Sequence, residues 1–229
     1  MLTLAFDCSS KTASVAVLRD GMIVYDIVLD TGRNHSEVLL PGINQACQES
    51  GCKISEIDLF ACAIGPGSFT GLRIGVSTLK GLMIAQGKPA VGVSSLAALA
   101  LNAGRTEKTI CSVMDAGRGQ VYTARYRMNQ DGALIQTGEE KALSPDRIKQ
   151  GDDENVVYVG DGAVRYADEI RKKSGKNVLI DLENPHIHAS SVGILALKKL
   201  SQGDVLDLNR FTPIYLRSVD VQTPKTTAS

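Results

Sequence analysis

The sequence predicts an α/β protein built from two similar units that face each other. Three observations carry this reading. Near Asp7 and again near Asp115, an apolar strand ends in an acid and leads into a second strand. An Asp-Gly pair, Asp20-Gly21 or Asp131-Gly132, then turns each hairpin into a third strand. Strands and helices alternate afterwards in both halves, so each half reads strand, strand, strand, helix, strand, helix, strand, helix. With 229 residues, 43% of them apolar, there is material for two units of about 110 residues and a sizeable core.

In the first half, Leu2 to Phe6 is an apolar strand ending at Asp7, Ser14 to Leu18 is the second strand, and Ile23 to Val28 the third. A helix follows, with Ser36 as its expected cap, running to about Ser50; Leu39, Ile43, Ala46 and Cys47 share one face and Gly51 ends it. Pro41 lies in its second turn, removes one hydrogen bond and predicts a bend. Then come a strand over 59–64, a helix over 69–86, a strand over 90–93 and a short helix from Ser95 to Asn102.

The order repeats after the polar link Ala103 to Lys108. Ile110 to Met114 is a strand ending at Asp115, Val121 to Arg127 is its partner, and a third follows Asp131-Gly132. A short helix is expected at Ser144-Pro145, the reduced counterpart of the first helix of the other half. Val156 to Val159 is a strand entering Gly160-Asp161-Gly162, Ala163 to Lys173 a helix, 178–181 a strand, and Ser190 to Ser201 a helix stopped by Gly203. The expected domains are therefore 1–103 and 104–217, with 218–229 a tail of few apolar residues.

The most unusual stretch is Gly65-Pro66-Gly67-Ser68-Phe69-Thr70-Gly71-Leu72-Arg73-Ile74-Gly75, where a buried strand turns sharply into a helix that Ser68 or Thr70 can cap. Leu72, Val76, Leu79 and Met83 make a core-facing stripe, while Gly71, Gly75 and Thr78 make a second stripe of small residues. Each glycine inside a helix costs about 1 kcal/mol relative to alanine. Two compensations are open: close packing on the chain's own sheet, or close approach of a helix from another chain.

Composition narrows the function. A net charge of zero and a pI near 6.8 provide no general attraction to nucleic acid or to an anionic membrane. Aromatic residues are 4% and Trp is absent, so stacking platforms for single-stranded bases are scarce. Cys8, Cys47, Cys52, Cys62 and Cys111 form no Cys-x-x-Cys pair and read as thiols in a reducing compartment. The N-terminus lacks a basic flank and no apolar run reaches membrane-spanning length, so the expected location is the cytoplasm without an anchor.

Strand-end acids followed by tight turns can hold Mg²⁺ or a phosphate between paired units. Asp7 with Ser9, Ser10 and Lys11 is one candidate cluster, and Asp115-Ala116-Gly117-Arg118-Gly119 the other; the alternative is that each acid caps its own turn. The glycine stretch lacks the Gly-Lys-Ser/Thr of a phosphate-binding loop, there is no Gly-x-Ser-x-Gly, and no His-Glu-x-x-His supports a metalloprotease. His186 and His188, beside Pro185, lack a spaced carboxylate or thiol partner and read as loop residues. No catalytic or metal-ligating set is assigned.

The Gly65 to Gly75 stretch, with Asp7 before it and Asp115-Ala116 and Val121-Tyr122 after it, resembles the TsaB (YeaZ) family, and Pro213-Ile214-Tyr215-Leu216-Arg217 resembles that family's closing segment. The resemblance spans the chain to about residue 217. It implies two duplicated actin-like domains of the ASKHA superfold, which is ribonuclease H-like, in agreement with the repeated order above. It further implies a non-catalytic scaffold for threonylcarbamoyladenosine (t6A) formation in tRNAs that read codons beginning with adenine. In that family the partners are a TsaD-like paralogue, which carries the metal site and transfers the threonylcarbamoyl group, and a TsaE-like ATPase; tRNA is reached indirectly.

The family's pairing surface corresponds here to the helices over 36–50 and 69–86, so Leu40, Ile43, Gly71, Arg73, Ile74, Gly75 and Thr78 are the expected partner contacts, with a homodimer when TsaD is absent. TsaD-like chains carry two metal-binding histidines four residues apart, whereas here Leu39 stands four residues after His35. Asp7, Ser9, Ser10 and Asp115 would then be a vestigial nucleotide site, with ATP or ADP and Mg belonging to the complex. The alternative is an ATP-binding ATPase or kinase of the same superfold.

Overall fold

The computed structural model describes residues 1–29, 34–148, 155–174 and 178–216. The first sheet is a meander extended by parallel strands. Leu2–Asp7 (β1), Ala13–Arg19 (β2) and Met22–Leu29 (β3) pair antiparallel, and Leu59–Gly65 (β4) and Ala90–Ser94 (β5) add in parallel, in the order β3-β2-β1-β4-β5. Asp20 and Gly21 both have positive φ, 51° and 81°, which matches the right-handed twist of the β2–β3 hairpin. The parallel strands need crossovers, and His35–Glu49 (α1) and Phe69–Gln86 (α2) supply them.

Ser95–Ala100 (α3) leads to the second sheet. Thr109–Gly117 (β6), Gln120–Met128 (β7) and Leu134–Gln136 (β8) form its meander, and Lys141–Leu143 (β9) pairs with the other end of β7. Val156–Val159 (β10) and Leu179–Ile180 (β11) add in parallel beside β6. Taken from its meander, the order β8-β7-β6-β10-β11 repeats that of the first sheet. Both units are actin-like α/β domains. Helices Asp161–Arg165 (α4), Ala167–Ser174 (α5) and Ala189–Ser201 (α6) complete the chain.

Two local expectations are corrected, the cap of α1 and the helix over 163–173. Asn34, not Ser36, occupies the cap of α1, and its side chain donates to Glu37 Oε1 at 2.9 Å; the helix runs on through Pro41. The helix expected over 163–173 starts earlier and breaks at Tyr166, because α4 rests on the backbone of β6 through Gly160 and Gly162 while α5 turns away to bury Ile170. The counterpart of the first helix is a single 3-10 turn, Pro145–Arg147. β9 is three residues long and carries no periodicity that a sequence reading could find.

The sheets divide between Ser94 and Thr109, yet the cores do not divide there. α3 packs chiefly on β6 and β7, and α6 packs on β1, β2, β4 and β5, so the third helix of each half crosses to the other sheet. The side chains between the sheets show why: Ala5, Leu18, Val91, Leu96, Leu99, Ile110, Tyr126, Val157, Val192 and Ala196 form one continuous core. These helices are short and apolar on several faces, as α3 with five of six residues buried illustrates, and a helix of that kind is stable only when covered on more than one side.

The segment after α6 also returns to the first unit. Leu206 N–H donates to Ala90 O at 2.8 Å, Ile214 N–H donates to Ile64 O at 2.7 Å, and Phe211 is buried in the first unit's outer core. A boundary at 103/104 therefore separates the sheets and not the packing. Arg217 and the tail over 218–229 lie outside the described residues.

Candidate functional site

β1 and β6 end beside the same interdomain cleft, of about 640 Å³, and their last acids make the same local bond. Asp7 Oδ1 accepts the N–H of Ser9 at 2.9 Å, and Asp115 Oδ1 accepts the N–H of Gly117 at 3.0 Å. Ser9, Ser10, Lys11, Ser68, Asp115 and Asp161 line the cleft, so the fold does bring three of the four sequence-predicted nucleotide residues together. Asp7 is the exception. It is buried beneath the wall, and burial, opposed by hydrogen bonds from Ser9 and Cys8, pushes its carboxyl up to about 6.

Asp115 is already neutralised. Its side chain is 4% exposed, and Oδ2 lies 2.6 Å from Arg165 and 3.4 Å from Lys11, which comes from the first unit. Burial raises its carboxyl, but the Gly117 N–H, Arg165 and Lys11 outweigh that and hold it below the usual carboxylate value. Asp161 accepts the backbone N–H of Asp115 at 3.0 Å, and burial pushes its own carboxyl upward. The turn at Gly160-Asp161-Gly162 is closed against β6, where a Cβ at Gly160 would collide with Val113 O. A cation entering this cleft would have to displace two basic side chains from Asp115.

The helix pair α1 and α2 forms the second region. Ser68 caps α2 by accepting the N–H of Gly71 at 3.3 Å. Gly71 and Gly75 do not face outward: a Cβ at Gly71 would overlap Cys8 O, and one at Gly75 would lie 3.2 Å from Cys62 Sγ. Of the two possible compensations for helical glycine, packing on the chain's own sheet accounts for both residues, because the end of β1 passes directly under the helix. Ile43, 2% exposed, likewise belongs to the core.

The other expected contacts remain at the surface. Leu40 is 56% exposed and shares a shallow groove between the helices with Arg73, Ile74, Ser77 and Thr78. The Arg73 guanidinium lies 3.8 Å over the Phe69 ring, whose other neighbour is Tyr215 at 5.1 Å. Farther along α2, Gly81 is exposed, with nothing within 4 Å of the place a Cβ would take, and Ile84 is 70% exposed.

Two polar clusters escaped the sequence reading. His188 Nδ1 lies 3.0 Å from Asp26 Oδ2, which also accepts from Ser190 Oγ at 2.6 Å, so His188 joins α6 to β3. Glu140 accepts from Ser94 Oγ and, at 3.4 Å, from Tyr126 O–H, tying β5 to the second sheet. Their members lie far apart in the chain, and no spacing signals them. Among the described residues no three His, Cys, Asp or Glu side chains gather as a metal site.

A family profile described as "TsaD: tRNA N6-adenosine threonylcarbamoyltransferase" matches residues 29–220. The Escherichia coli protein named "tRNA threonylcarbamoyladenosine biosynthesis protein TsaB" is 32% identical over 95% of this chain and 95% of its own length. The chain belongs to the TsaB (YeaZ) family. The structure of YeaZ from Pseudomonas aeruginosa superposes on this TsaB-family chain with a TM-score of 0.82 at 30% identity, covering 94% of this chain and 99% of that one. A more distant structure, the Acidaminococcus fermentans (R)-2-hydroxyglutaryl-CoA dehydratase component A, matches with a TM-score of 0.56 at 13% identity, over 88% and 99% of the two chains, and speaks for the fold alone.

Proposed function

We propose that this chain serves tRNA threonylcarbamoyladenosine biosynthesis as a supporting subunit without chemistry of its own, pairing through the α1–α2 groove with a TsaD-like paralogue. The observation that carries the reading is the state of the cleft: Asp7 is buried and Asp115 is held by Arg165 and Lys11, which leaves no open carboxylate pair for Mg²⁺. The names of the full-length relatives support the pathway. A TsaE-like ATPase joins the same assembly, nucleotide and Mg²⁺ are bound by the complex, and tRNA is contacted through the partners, in keeping with the zero net charge. The setting is the cytoplasm; no described helix is long and apolar enough to cross a membrane.

The pairing surface is exposed Leu40 and Arg73 with half-buried Ile74 and Thr78, and Gly71, Gly75 and Ile43 support it from beneath. In the absence of the paralogue the same face takes a second copy of this chain. Light scattering on the chain alone and mixed with the TsaD-like protein of the same cell tests this. A heterodimer should replace the homodimer, and Leu40→Glu should weaken it at least tenfold, about 1.4 kcal/mol, with unfolding unchanged. Failure of the two proteins to associate at micromolar concentration would overturn the reading. Tight ATP binding by the isolated chain, lost in Asp115→Ala, would favour the ATPase or kinase alternative.

A further inference from the structure

α1 ends in a turn that sets two thiols side by side. Gly51, with φ 62°, donates its N–H to Gln48 O at 3.0 Å, and Cys52 donates its N–H to Cys47 O at 3.0 Å. This pair of bonds is the Schellman ending, in which the two residues joined by the longer bond usually pack apolar side chains together. Here both residues are cysteines. The 3.0 Å bond, with about 2.4 Å from Cα to O in Cys47 and about 1.5 Å from N to Cα in Cys52, keeps the two Cα atoms within about 7 Å, the limit for bridging.

Both side chains open onto one shallow groove with Leu40, Ile43, Gln48 and Lys53. Cys52 is half-buried and Cys47 is 5% exposed, whereas Cys8, Cys62 and Cys111 are buried elsewhere. Burial first, and then the charge and hydrogen bond of Cys52, push the Cys47 thiol up to about 11, and Cys52 is the more exposed of the two.

We propose that Cys47 and Cys52 form a redox-active dithiol, closed to an intramolecular disulfide by a low-molecular-weight disulfide of the glutathione class. The Cys52 thiolate, the more accessible, attacks one sulfur of the oxidant, forming a mixed disulfide and releasing one thiolate. The Cys47 sulfur then gives up its proton and attacks Cys52 Sγ, forming the Cys47–Cys52 bond and releasing the second thiol. Two protein thiols are oxidised and one small disulfide is reduced to two thiols. The bond pins the last turn of α1 and reshapes the groove that holds Leu40 and Ile43, at the end of the pairing face; the dithiol itself stands without that assignment.

The test uses the full chain equilibrated with oxidised and reduced glutathione, followed by alkylation of the remaining thiols and mass spectrometry. No Lys or Arg lies between Asn34 and Cys52, so one tryptic peptide carries both cysteines, and Glu49 between them allows a second cleavage that separates them unless they are bonded. With oxidised glutathione in excess, the two fragments should stay joined and lighter by two hydrogens, while Cys8, Cys62 and Cys111 stay alkylatable after denaturation. A mixed disulfide that persists on Cys52 with Cys47 free, or two thiols that stay reduced, would overturn the proposal. Phenylarsine oxide, which needs two adjacent thiols, should bind the reduced folded chain one-to-one and lose that binding in Cys52→Ser; equal binding in the variant would also overturn it.

Discussion

Replacing Asp7 by Asn should stabilise this protein, by an amount set by pH. In the unfolded chain the carboxyl titrates near its ordinary 3.8, and burial at the end of β1 moves it to about 6 in the folded protein. Between those values the folded state keeps a proton that the unfolded chain has released, so stability falls as pH rises, and above about pH 6 the whole penalty is present. A carboxyl raised from 3.8 to about 6 corresponds to about 3 kcal/mol. Asparagine keeps the oxygen that accepts the Ser9 N–H and carries no charge. Its amide nitrogen would stand where Asp7 Oδ2 has no partner among the described residues, at a cost of about 1 kcal/mol. The expected net gain is about 2 kcal/mol at pH 8, shrinking to about zero near pH 4.5, read by urea unfolding at both pH values. An equal difference at the two pH values, or a loss at pH 8, would refute the argument. An acid kept for a metal would behave differently: Mg²⁺ would then stabilise the wild-type chain at pH 8 and not the variant.

Two glycines of α2 should respond in opposite directions. Gly71→Ala drives a Cβ into Cys8 O and should cost about 3 kcal/mol, whereas Gly81→Ala enters open space and should gain about 1 kcal/mol; chemical unfolding of both variants checks the pair, and a common sign would contradict the packing. His188 is raised chiefly by its hydrogen bond to Asp26, so the stability it contributes is present below pH 6.5 and is lost as pH rises through the raised value. Asp26→Asn should therefore lower the melting temperature more at pH 5.5 than at pH 8.5, and an equal drop at both would remove the ion pair from the account.

The local features were legible in the chain because their causes are local. Asp20-Gly21 predicts its hairpin through the positive φ that both residues adopt, Ser68 predicts its cap through an oxygen within reach of Gly71 N–H, and Gly51 predicts the end of α1. Strand order repeated because each half carries the same succession of apolar runs and turns. The resemblance in the glycine stretch led to the same two-domain architecture.

Which way those elements face was decided only by the fold. Gly71 and Gly81 are the same residue in the same helix, yet one lies against Cys8 and the other against solvent, because the end of β1 arrives beneath the first turn of α2 and not farther along it. Asp7 and Asp115 are the last acids of equivalent strands, yet one is sealed in the core while the other meets Arg165 and Lys11, the latter 104 residues away. The exchange of α3 and α6 between sheets has the same origin. Periodicity reports which face of an element is apolar, since that depends on neighbours three or four residues apart; what covers the face depends on residues a hundred positions distant, whose meeting only the packed chain determines.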